Sequence, residues 1–311
     1  MVSVAVPGDP RNGLVPMGSM PQVAELEEGL VRILAPNASP MTLDGTNTYL
    51  VYGGNRAVYL VDPGPTDAAH FGRIAEAIEA RRLEPWGVVL THHHIDHSES
   101  AHRFSREWGV PILAGALEDP GSPAILVEEG DTIDLDGQRL TAMHTPGHTA
   151  DHLCFMLPSG RALTGDHVLG RGTSVVAYPD GDLERYLRSL LQLESAGPRG
   201  MYPGHGPELS EETAADVLDY YISHRMYRIS QVLEAFSDVR TSVADAVRGI
   251  YGQSIPAGLF FAAELSTRAA IAMLMKRGYL EVAGDDDHYV RAGAGVERLL
   301  DELVADRRRP L

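Results

Sequence analysis

The sequence predicts a layered α/β fold, and two recurring patterns support this prediction. Short runs rich in β-branched and aromatic residues recur from about residue 30, at 30–35, 47–53, 57–64, 87–94, 111–115 and 152–157. Amphipathic stretches with helical spacing lie at 67–83, 98–109 and 183–197. Because strands and helices alternate along the chain, we expect an α/β or α+β fold with layered sheets.

The strand runs are, in chain order, LVRILA, NTYLVYG, AVYLVDPG, GVVLTHHH, PILAG and HLCFML. The helical stretch at 67–83 separates the third run from the fourth, and the stretch at 98–109 separates the fourth from the fifth. The stretch at 183–197 follows the sixth run and ends at a Gly-Pro pair, which is a typical helix stop.

The pattern changes after YPGHGP at 202–207. A long helical stretch at 209–236 is followed by two shorter ones and then by two short strands around a Gly-Asp turn. This order is typical of a winged helix, so we expect a winged-helix domain at 210–291 and a tail helix at 292–311. Residues 1–24 are predicted to be a flexible N-terminal arm, because they are rich in Pro, Gly and Met without periodicity. The main domain is then residues 25–209.

Composition limits the chemistry available to the chain. Cys154 is the only cysteine, which excludes an intrachain disulfide and a cysteine-based metal cage. Any metal must therefore be bound by nitrogen and oxygen. No apolar run approaches the ~20 residues of a membrane-spanning helix, and the N-terminus lacks the pattern of a signal peptide. We expect a cytoplasmic protein that does not associate with a membrane.

Charge is unevenly distributed along the chain, whose formal net charge is −17. Residues 1–218 carry 14 Lys and Arg against 30 Asp and Glu, whereas residues 219–311 carry 12 against 13. The first part should repel polyanions unless bound metal ions reverse the local field.

The stretch THHHIDH at 91–97 places four of the 13 histidines and an aspartate directly after a strand run. In extended geometry, residues two apart share a face, so His92 and His94 can point the same way while His93 points away. Asp96 and His97 then lead into the next helix. Clustered imidazoles beside a carboxylate are the ligands that Zn²⁺ prefers, and a satisfied structural role for all of them is improbable.

Three later loops repeat this theme: HTPGHTADH at 144–152, LTGDHVLG at 163–170 and YPGHG at 202–206. Each follows a predicted strand and places a glycine next to a histidine or an aspartate, which permits a sharp turn and a close backbone approach. With THHHIDH, these loops resemble the metallo-β-lactamase superfamily and its H-x-H-x-D-H motif. The resemblance covers about residues 25–210. Within the superfamily the chain is similar to the β-lactamase-like protein 2 group, and TPGHT is shared with glyoxalase II.

The resemblance implies an αββα sandwich with a dinuclear centre at one sheet edge. It implies that Asp62 supports a ligand without binding metal itself. The implied metal ligands are two groups of three and a bridging residue: His92, His94 and His148; Asp96, His97 and His205; and Asp166.

The expected function is that of a dinuclear zinc hydrolase in which a metal-bridging hydroxide attacks an ester or thioester, with Asp96 as the catalytic proton acceptor. Iron or manganese would also accept these ligands. Members of the related groups include single-stranded RNA endonucleases, so RNA is the alternative substrate. A third hypothesis, a winged-helix DNA reader with the metal domain as its sensor, fares worst, because the segment GDDDH at 284–288 is acidic where phosphates would lie.

A compact acyl substrate is preferred over RNA, and a homodimer is a further expectation. Several residues are candidates for contacting substrate, either as hydrogen-bonding groups or as an apolar wall: Thr173, Ser174, Tyr178, Tyr220, Tyr221, His224, Arg225 and Tyr227. Three histidines beside the ligand motifs have either a substrate or a structural role: His144, His152 and His167.

Overall fold

The computed structural model describes residues 8–116, 124–252, 257–284, 287–293 and 295–308. A first sheet contains seven strands in the order of the chain. They are β1 (Val23–Glu27), β2 (Leu30–Leu34), β3 (Asn47–Tyr52), β4 (Ala57–Val61), β5 (Glu84–Val89), β6 (Ile112–Ala114) and β7 (Ala124–Leu126). Strands β1 to β4 pair antiparallel, and β4 to β7 pair parallel.

A second sheet has the order β12-β11-β10-β9-β8. Its strands are β8 (Thr132–Asp134), β9 (Arg139–His144), β10 (Leu153–Met156), β11 (Ala162–Gly165) and β12 (Met201–Pro203). Only β11 and β12 pair parallel in this sheet. The loop after β12 leads directly to His205, which forms an isolated bridge with Thr46, the residue before β3 of the first sheet.

Helices lie outside the two sheets and in the C-terminal part of the chain. They are α1 (Ala68–Ala80), α2 (Ile95–Ser98), α3 (Ala101–Trp108), α4 (Leu183–Ala196), α5 (Glu211–Glu234), α6 (Val243–Tyr251), α7 (Ala257–Lys276) and α8 (Val296–Arg308). The N-cap of helix α4 is Asp182, whose carboxylate accepts hydrogen bonds from two backbone N–H groups of the first turn, and its C-cap is Gly197 in the left-handed conformation. None of the described helices is long and apolar enough to cross a bilayer.

Alternation along the strands builds the layers. In β3, Tyr49 and Val51 pack between the two sheets with Phe155, whereas Leu50 packs on the opposite face with Ile74 of α1. This period of two is what a sheet buried on both faces requires. The described residues therefore form four layers, with helices α1 and α3 outside the first sheet and α4 and α5 outside the second.

The apolar layer outside the second sheet continues without a break into the C-terminal part. It contains Leu190 of α4, Ile229 of α5, Leu274 of α7 and Leu299 of α8, all fully buried. The sequence places a domain boundary at residue 209, but the packing crosses it.

The C-terminal part contains a small antiparallel sheet in the order β13-β15-β14. Its strands are β13 (Thr241–Ser242), β14 (Leu280–Val282) and β15 (His288–Arg291). The basic side chains of α7 and of the residue after it are engaged in ion pairs: Arg268 with Glu264 and Asp287, Lys276 with Glu184, and Arg277 with Glu184 and Asp306. These pairs leave α7 a poor surface for DNA. Residues 285–286 of the predicted acidic turn lie outside the described residues.

Residues 9–18 differ from the flexible arm that the sequence predicts. Arg11 is buried and donates to the carbonyl oxygens of Leu169 and Gly172, each at 2.6 Å. The N–H of Gly18 donates to Asp44 Oδ1 at 2.7 Å. Buried polar contacts of this kind fix the segment against the main body, whereas residues 1–7 lie outside the described part.

Candidate metal centre

The motif THHHIDH follows the carboxyl end of β5. His94 occupies the N-cap position of α2, so the chain turns immediately after it and directs Asp96 and His97 back towards the sheet edge. His92 Nε2 lies 3.0 Å from His94 Nδ1. His93 is directed elsewhere, with its Nδ1 2.8 Å from Asp151 Oδ1.

The first ligand cluster consists of His92, His94 and His148. His148 Nδ1–H donates to the Val175 carbonyl at 2.8 Å, which leaves Nε2 unprotonated and 3.0 Å from His94 Nδ1. The Thr91 hydroxyl donates to Asp62 Oδ2, so it accepts from His92 Nδ1–H at 3.0 Å, and Nε2 of His92 also carries a lone pair. Lone pairs that converge at these distances repel each other unless a cation lies between them, so the cluster fits a metal ion.

The second ligand cluster consists of Asp96, His97 and His205. His97 Nδ1–H donates to Asp62 at 2.9 Å, and His205 Nδ1–H donates to the Gly45 carbonyl at 3.1 Å. The Nε2 atoms of His97 and His205 therefore face each other at 3.2 Å, and Asp96 Oδ2 lies 3.1 Å from His205 Nε2. Two imidazole nitrogens and a carboxylate oxygen around one point fit a second divalent cation.

Asp166 lies between the two clusters. Its Oδ1 is 3.4 Å from Nε2 of both His97 and His205, while its Oδ2 is 3.7 Å from His148 Nε2. Oδ1 is buried without a hydrogen-bond partner. An unsatisfied buried carboxylate oxygen is costly, and a cation at this position would satisfy it.

The protonation states suit a cation-binding centre. Burial lowers the pKa of His148 to about 4 and that of His92 well below its ordinary value, so both rings are neutral and able to bind metal. Burial also acts to lower the pKa of His205, but Asp166 and Asp96 oppose it and bring the pKa to about 9. Burial raises the pKa of Asp166, yet His205 and His97 outweigh it and hold that pKa well below its ordinary value. The second cluster thus favours positive charge.

Asp62 holds His97 without joining either cluster. Its Oδ2 accepts from His97 Nδ1 at 2.9 Å and from the Thr91 hydroxyl at 2.7 Å, and its Oδ1 accepts from the Thr91 N–H at 2.8 Å. Its own backbone has φ of 49°, a left-handed conformation uncommon outside glycine. A carboxylate that orients a ligand imidazole is a common support for a metal site.

A third group of ligand-type atoms is formed by His93, His94 and Asp180 at the rim. His94 directs Nδ1 towards the first cluster, so its neutral ring carries the proton on Nε2, which lies 4.0 Å from Asp180 Oδ2. A protonated nitrogen cannot bind a metal, and we therefore assign no ion to this group.

The residues predicted to contact substrate have different positions. Ser174 and Arg225 are buried: Ser174 Oγ donates to the Asp166 carbonyl at 2.5 Å, and the Arg225 guanidinium donates to the Ser174 carbonyl. Both support the loop that follows Asp166, because their polar groups face backbone carbonyl groups and not solvent. His224 is half-buried and stacks on Tyr220, with ring centroids 5.7 Å apart.

The tyrosines and Thr173 also divide into accessible and buried side chains. Tyr178 is 46% exposed and Thr173 is half-buried, so both remain accessible. Tyr227 is also exposed. Tyr221 is fully buried, and its hydroxyl accepts from the Leu169 N–H at 2.8 Å, so it belongs to the core and not to an apolar wall.

Of the three histidines beside the motifs, two are structural in their contacts. His152 is buried and its Nε2 accepts from the Asp166 N–H at 3.1 Å, which helps to hold that loop. His167 is buried against the Tyr186 ring at 4.9 Å, and burial lowers its pKa to about 3. His144 is exposed, with Nε2 3.2 Å from the Ala150 carbonyl.

Supporting residues that sequence reasoning missed include Thr91 and Asn47. The Asn47 amide donates to the carbonyls of Pro203 and Gly206, both at 2.8 Å, and so fixes the loop that carries His205. Thr91 is the first residue of THHHIDH, and its place in that motif was the available signal. Nothing near Asn47 in a single sequence points to a partner more than 150 positions away.

Gly204 is required where this loop passes the centre. A Cβ at this position would lie 2.6 Å from Asp166 Oδ1 and 2.7 Å from His97 Cε1. We expect Gly204→Ala to displace both side chains, to cost about 1–3 kcal/mol of stability, and to weaken metal binding. Thermal unfolding and metal content would measure this. Gly249→Ala in α6, where a Cβ meets nothing within 4 Å, is the control, and equal metal content in both variants would contradict the prediction.

The fold and the centre together define the class of the protein. Converging imidazoles and carboxylates at one edge of a two-sheet sandwich are the arrangement of a metal-dependent hydrolase. A family model described as the metallo-beta-lactamase superfamily matches residues 41–205, which include all seven ligand residues and Asp62. The chain belongs to the metallo-beta-lactamase superfamily and is a metal-dependent hydrolase.

Relatives extend the similarity beyond that region. The chain is 37% identical over 251 residues to lactamase-like protein aptB of Emericella nidulans, covering 77% of this chain and 75% of that protein. It is 29% identical over 293 residues to the beta-lactamase-like protein 2 homolog of Drosophila melanogaster, covering 88% of this chain and 98% of that protein. It is 35% identical over 237 residues to an atrochrysone carboxyl ACP thioesterase of Aspergillus fumigatus, covering 73% and 72%.

Solved structures support the fold over most of the chain. A metallo-beta-lactamase family protein of Thermus thermophilus matches with a TM-score of 0.73 at 22% identity, covering 86% of this chain and 100% of that one. A beta-lactamase domain protein of Burkholderia ambifaria matches with a TM-score of 0.74 at 20% identity, covering 91% and 96%. The four-layer α/β architecture is therefore that of the superfamily.

Proposed function

We propose that this protein is a dinuclear zinc hydrolase that cleaves a thioester of a small acyl substrate. The observation that carries the proposal is the position of Asp166 between two complete ligand clusters. His92, His94 and His148 would hold one ion, and Asp96, His97 and His205 the other, with Asp166 shared by both. Nitrogen and oxygen ligands in this proportion favour zinc over magnesium or calcium.

Bound zinc would lower the pKa of water, so that a hydroxide is available at neutral pH, and would polarise the substrate carbonyl. The side chains of the chain then have separate tasks. Asp96 is 26% exposed, more than the other carboxylates of the centre, and its pKa is held below its ordinary value because hydrogen bonds and charges from His205 and His97 outweigh burial. It is therefore ionised, open to substrate and able to accept a proton.

A thioester is favoured over RNA by charge and by the surface near the centre. Exposed apolar side chains lie on the segments that carry or adjoin the ligands: Met41, 50% exposed, Ile95, 71%, and Tyr178, 46%. An acyl group can pack on such residues, whereas a polyanion meets the acidic residues of positions 1–218. The named activity of the Aspergillus fumigatus relative supports the same substrate class.

We also propose that residues 210–291 form a winged helix that covers the mouth of the site and does not read DNA. The Leu265 carbonyl of α7 accepts from the Tyr178 N–H at 3.4 Å, so α7 adjoins the loop that carries Tyr178. The ion pairs of Arg268 and Arg277 described above support this role.

Metal stoichiometry tests the proposed centre. Seven ligands exceed what one tetrahedral site can use, so we expect about two equivalents of zinc per chain in protein purified without chelator. Elemental analysis would measure the content. A fully active protein with a single equivalent would contradict the dinuclear centre.

Substrate class is tested by comparing the hydrolysis of acyl thioesters and aryl esters with the cleavage of unstructured RNA at low salt. We expect turnover of the thioesters and little RNA cleavage, since RNA binding depends on basic contacts that the acidic region lacks. The same assays on Asp96→Asn protein control for contaminating enzymes. RNA cleavage that disappears in this variant, without turnover of any ester, would make the protein a nuclease.

A further inference from the structure

The N-terminal segment, which lies outside the two sheets, contacts the loop that follows Asp166. We call residues 166–175 the ligand loop. It begins at Asp166 and ends at Val175, whose carbonyl orients His148. Ser174 Oγ donates to the Asp166 carbonyl at 2.5 Å, and the Val175 carbonyl accepts from His148 Nδ1 at 2.8 Å. Displacement of this loop would therefore move Asp166 and release the orientation of His148.

Arg11, from the N-terminal segment, holds the middle of the ligand loop. Its Nη1 donates to the Leu169 carbonyl and its Nη2 to the Gly172 carbonyl, each at 2.6 Å. Asp9 fixes the guanidinium, with contacts of 2.7 Å to Nε and 2.8 Å to Nη2. The guanidinium carbon lies 5.2 Å from the ring centroid of Tyr221, whose hydroxyl accepts from the Leu169 N–H. The arginine is 5% exposed, so these partners replace its water.

The same segment contacts the other side of the centre. The N–H of Gly18 donates to Asp44 Oδ1 at 2.7 Å, and Arg171 of the ligand loop donates to Asp44 Oδ2 at 2.9 Å and to the Pro16 carbonyl at 3.0 Å. Gly45, the next residue, provides the carbonyl that orients His205. The segment thus joins the backbone supports of both ligand clusters.

Only a guanidinium fits this position. Two carbonyl groups three residues apart and one carboxylate are satisfied at once by a planar fork with five N–H donors. A lysine ammonium has the charge but not the fork, and an alanine leaves Asp9 and two carbonyl groups without their donor.

We propose that Arg11 is a positioning residue of the metal centre, which fixes the ligand loop so that Asp166 and His148 converge on the bound ions. Residues 9–18 thereby form part of the active site without touching the reacting atoms. The proposal rests on the metal-binding part of the proposed function and is independent of the substrate.

The test compares Arg11→Ala and Arg11→Lys with Arg32→Met in the full-length chain. Arg32 is a matched control, since it is 2% exposed and donates to the Pro21 carbonyl at 3.0 Å and to Glu208 at 3.4 Å, and within the described residues no hydrogen bond joins it to the ligand loop. Zinc affinity is measured by competition with a chromophoric chelator, and the site geometry by the visible absorption spectrum of the Co²⁺-substituted protein. Both measurements are repeated with millimolar guanidinium ion added.

We expect both Arg11 variants to bind zinc roughly 10- to 100-fold more weakly and to show a changed Co²⁺ spectrum, whereas Arg32→Met retains the wild-type affinity and spectrum. Guanidinium should restore part of the affinity of Arg11→Ala. If Arg11→Ala unfolds, Arg11→Lys decides the result. Wild-type affinity and spectrum in the Arg11 variants would overturn the proposal, even if their melting temperatures fall. Wild-type protein that binds no metal would instead refute the proposed function.

Discussion

Asp96→Asn is expected to leave the protein folded and to lower kcat for thioester hydrolysis by roughly 10²- to 10⁴-fold. Asparagine preserves the volume of the side chain but removes the charge that lies 3.1 Å from His205 Nε2 and 3.6 Å from His97 Nε2. It also removes the ionised group best placed to accept a proton. Steady-state kinetics and circular dichroism would measure the two effects.

The control for this variant is His93→Ala, three positions earlier. His93 is directed to Asp151 and not to the two clusters, so its replacement should change kcat by about twofold or less. Equal losses in the two variants would show that the assignment of faces within THHHIDH is incorrect.

Asp62→Asn is expected to weaken zinc binding by about 10- to 100-fold and to cost about 1–3 kcal/mol in the free energy of unfolding. The carboxylate accepts three hydrogen bonds while 1% exposed, and an amide nitrogen would face at least one of the same donors. His97 would then lose its fixed orientation. Chelator competition and urea unfolding would measure the changes.

Asp151→Asn is the matched control for this second variant. Asp151 is also buried, at 7% exposed, and it contacts Thr149 and His93, while in the part of the chain that the structure describes no hydrogen bond joins its side chain to any of the seven ligand residues. It should lose stability while retaining the zinc affinity of the wild type. A similar loss of zinc affinity in both variants would indicate a general effect of burying an amide, and would contradict the orienting role of Asp62.

The sequence predicts those parts of the structure that have a local pattern. The runs that became β2 to β6 and β10 alternate or are continuously apolar, and each predicted helix is present with bounds that differ by a few residues at either end. Strands β7 and β8 have three residues each, too few for a period of two to be recognised. The family and the metal-dependent hydrolase class could be predicted because the ligands lie in four compact motifs. The comparisons confirm both.

Hydrogen bonds that support the metal centre between residues far apart in the sequence could not be predicted in the same way. Arg225 is among the residues that the sequence predicts to contact substrate, but it is buried and its guanidinium donates to the Ser174 carbonyl. Arg11 lies in a segment without periodicity, and the two carbonyl groups that it binds, those of Leu169 and Gly172, are more than 150 positions away. A hydrogen bond to a distant backbone carbonyl leaves no pattern in the sequence around either partner.

Because of the uninterrupted apolar layer from α4 through α5 to α7 and α8, we expect the two halves of the chain to unfold together. Leu190 and Ile229 pack in the same cluster as Leu274 and Leu299, so separation at residue 209 would expose apolar faces on both fragments. The catalytic half would then be prone to aggregate by itself. Heat or denaturant should unfold the whole chain in one cooperative step, and a destabilising change in α8 should shift the midpoint of metal release as well.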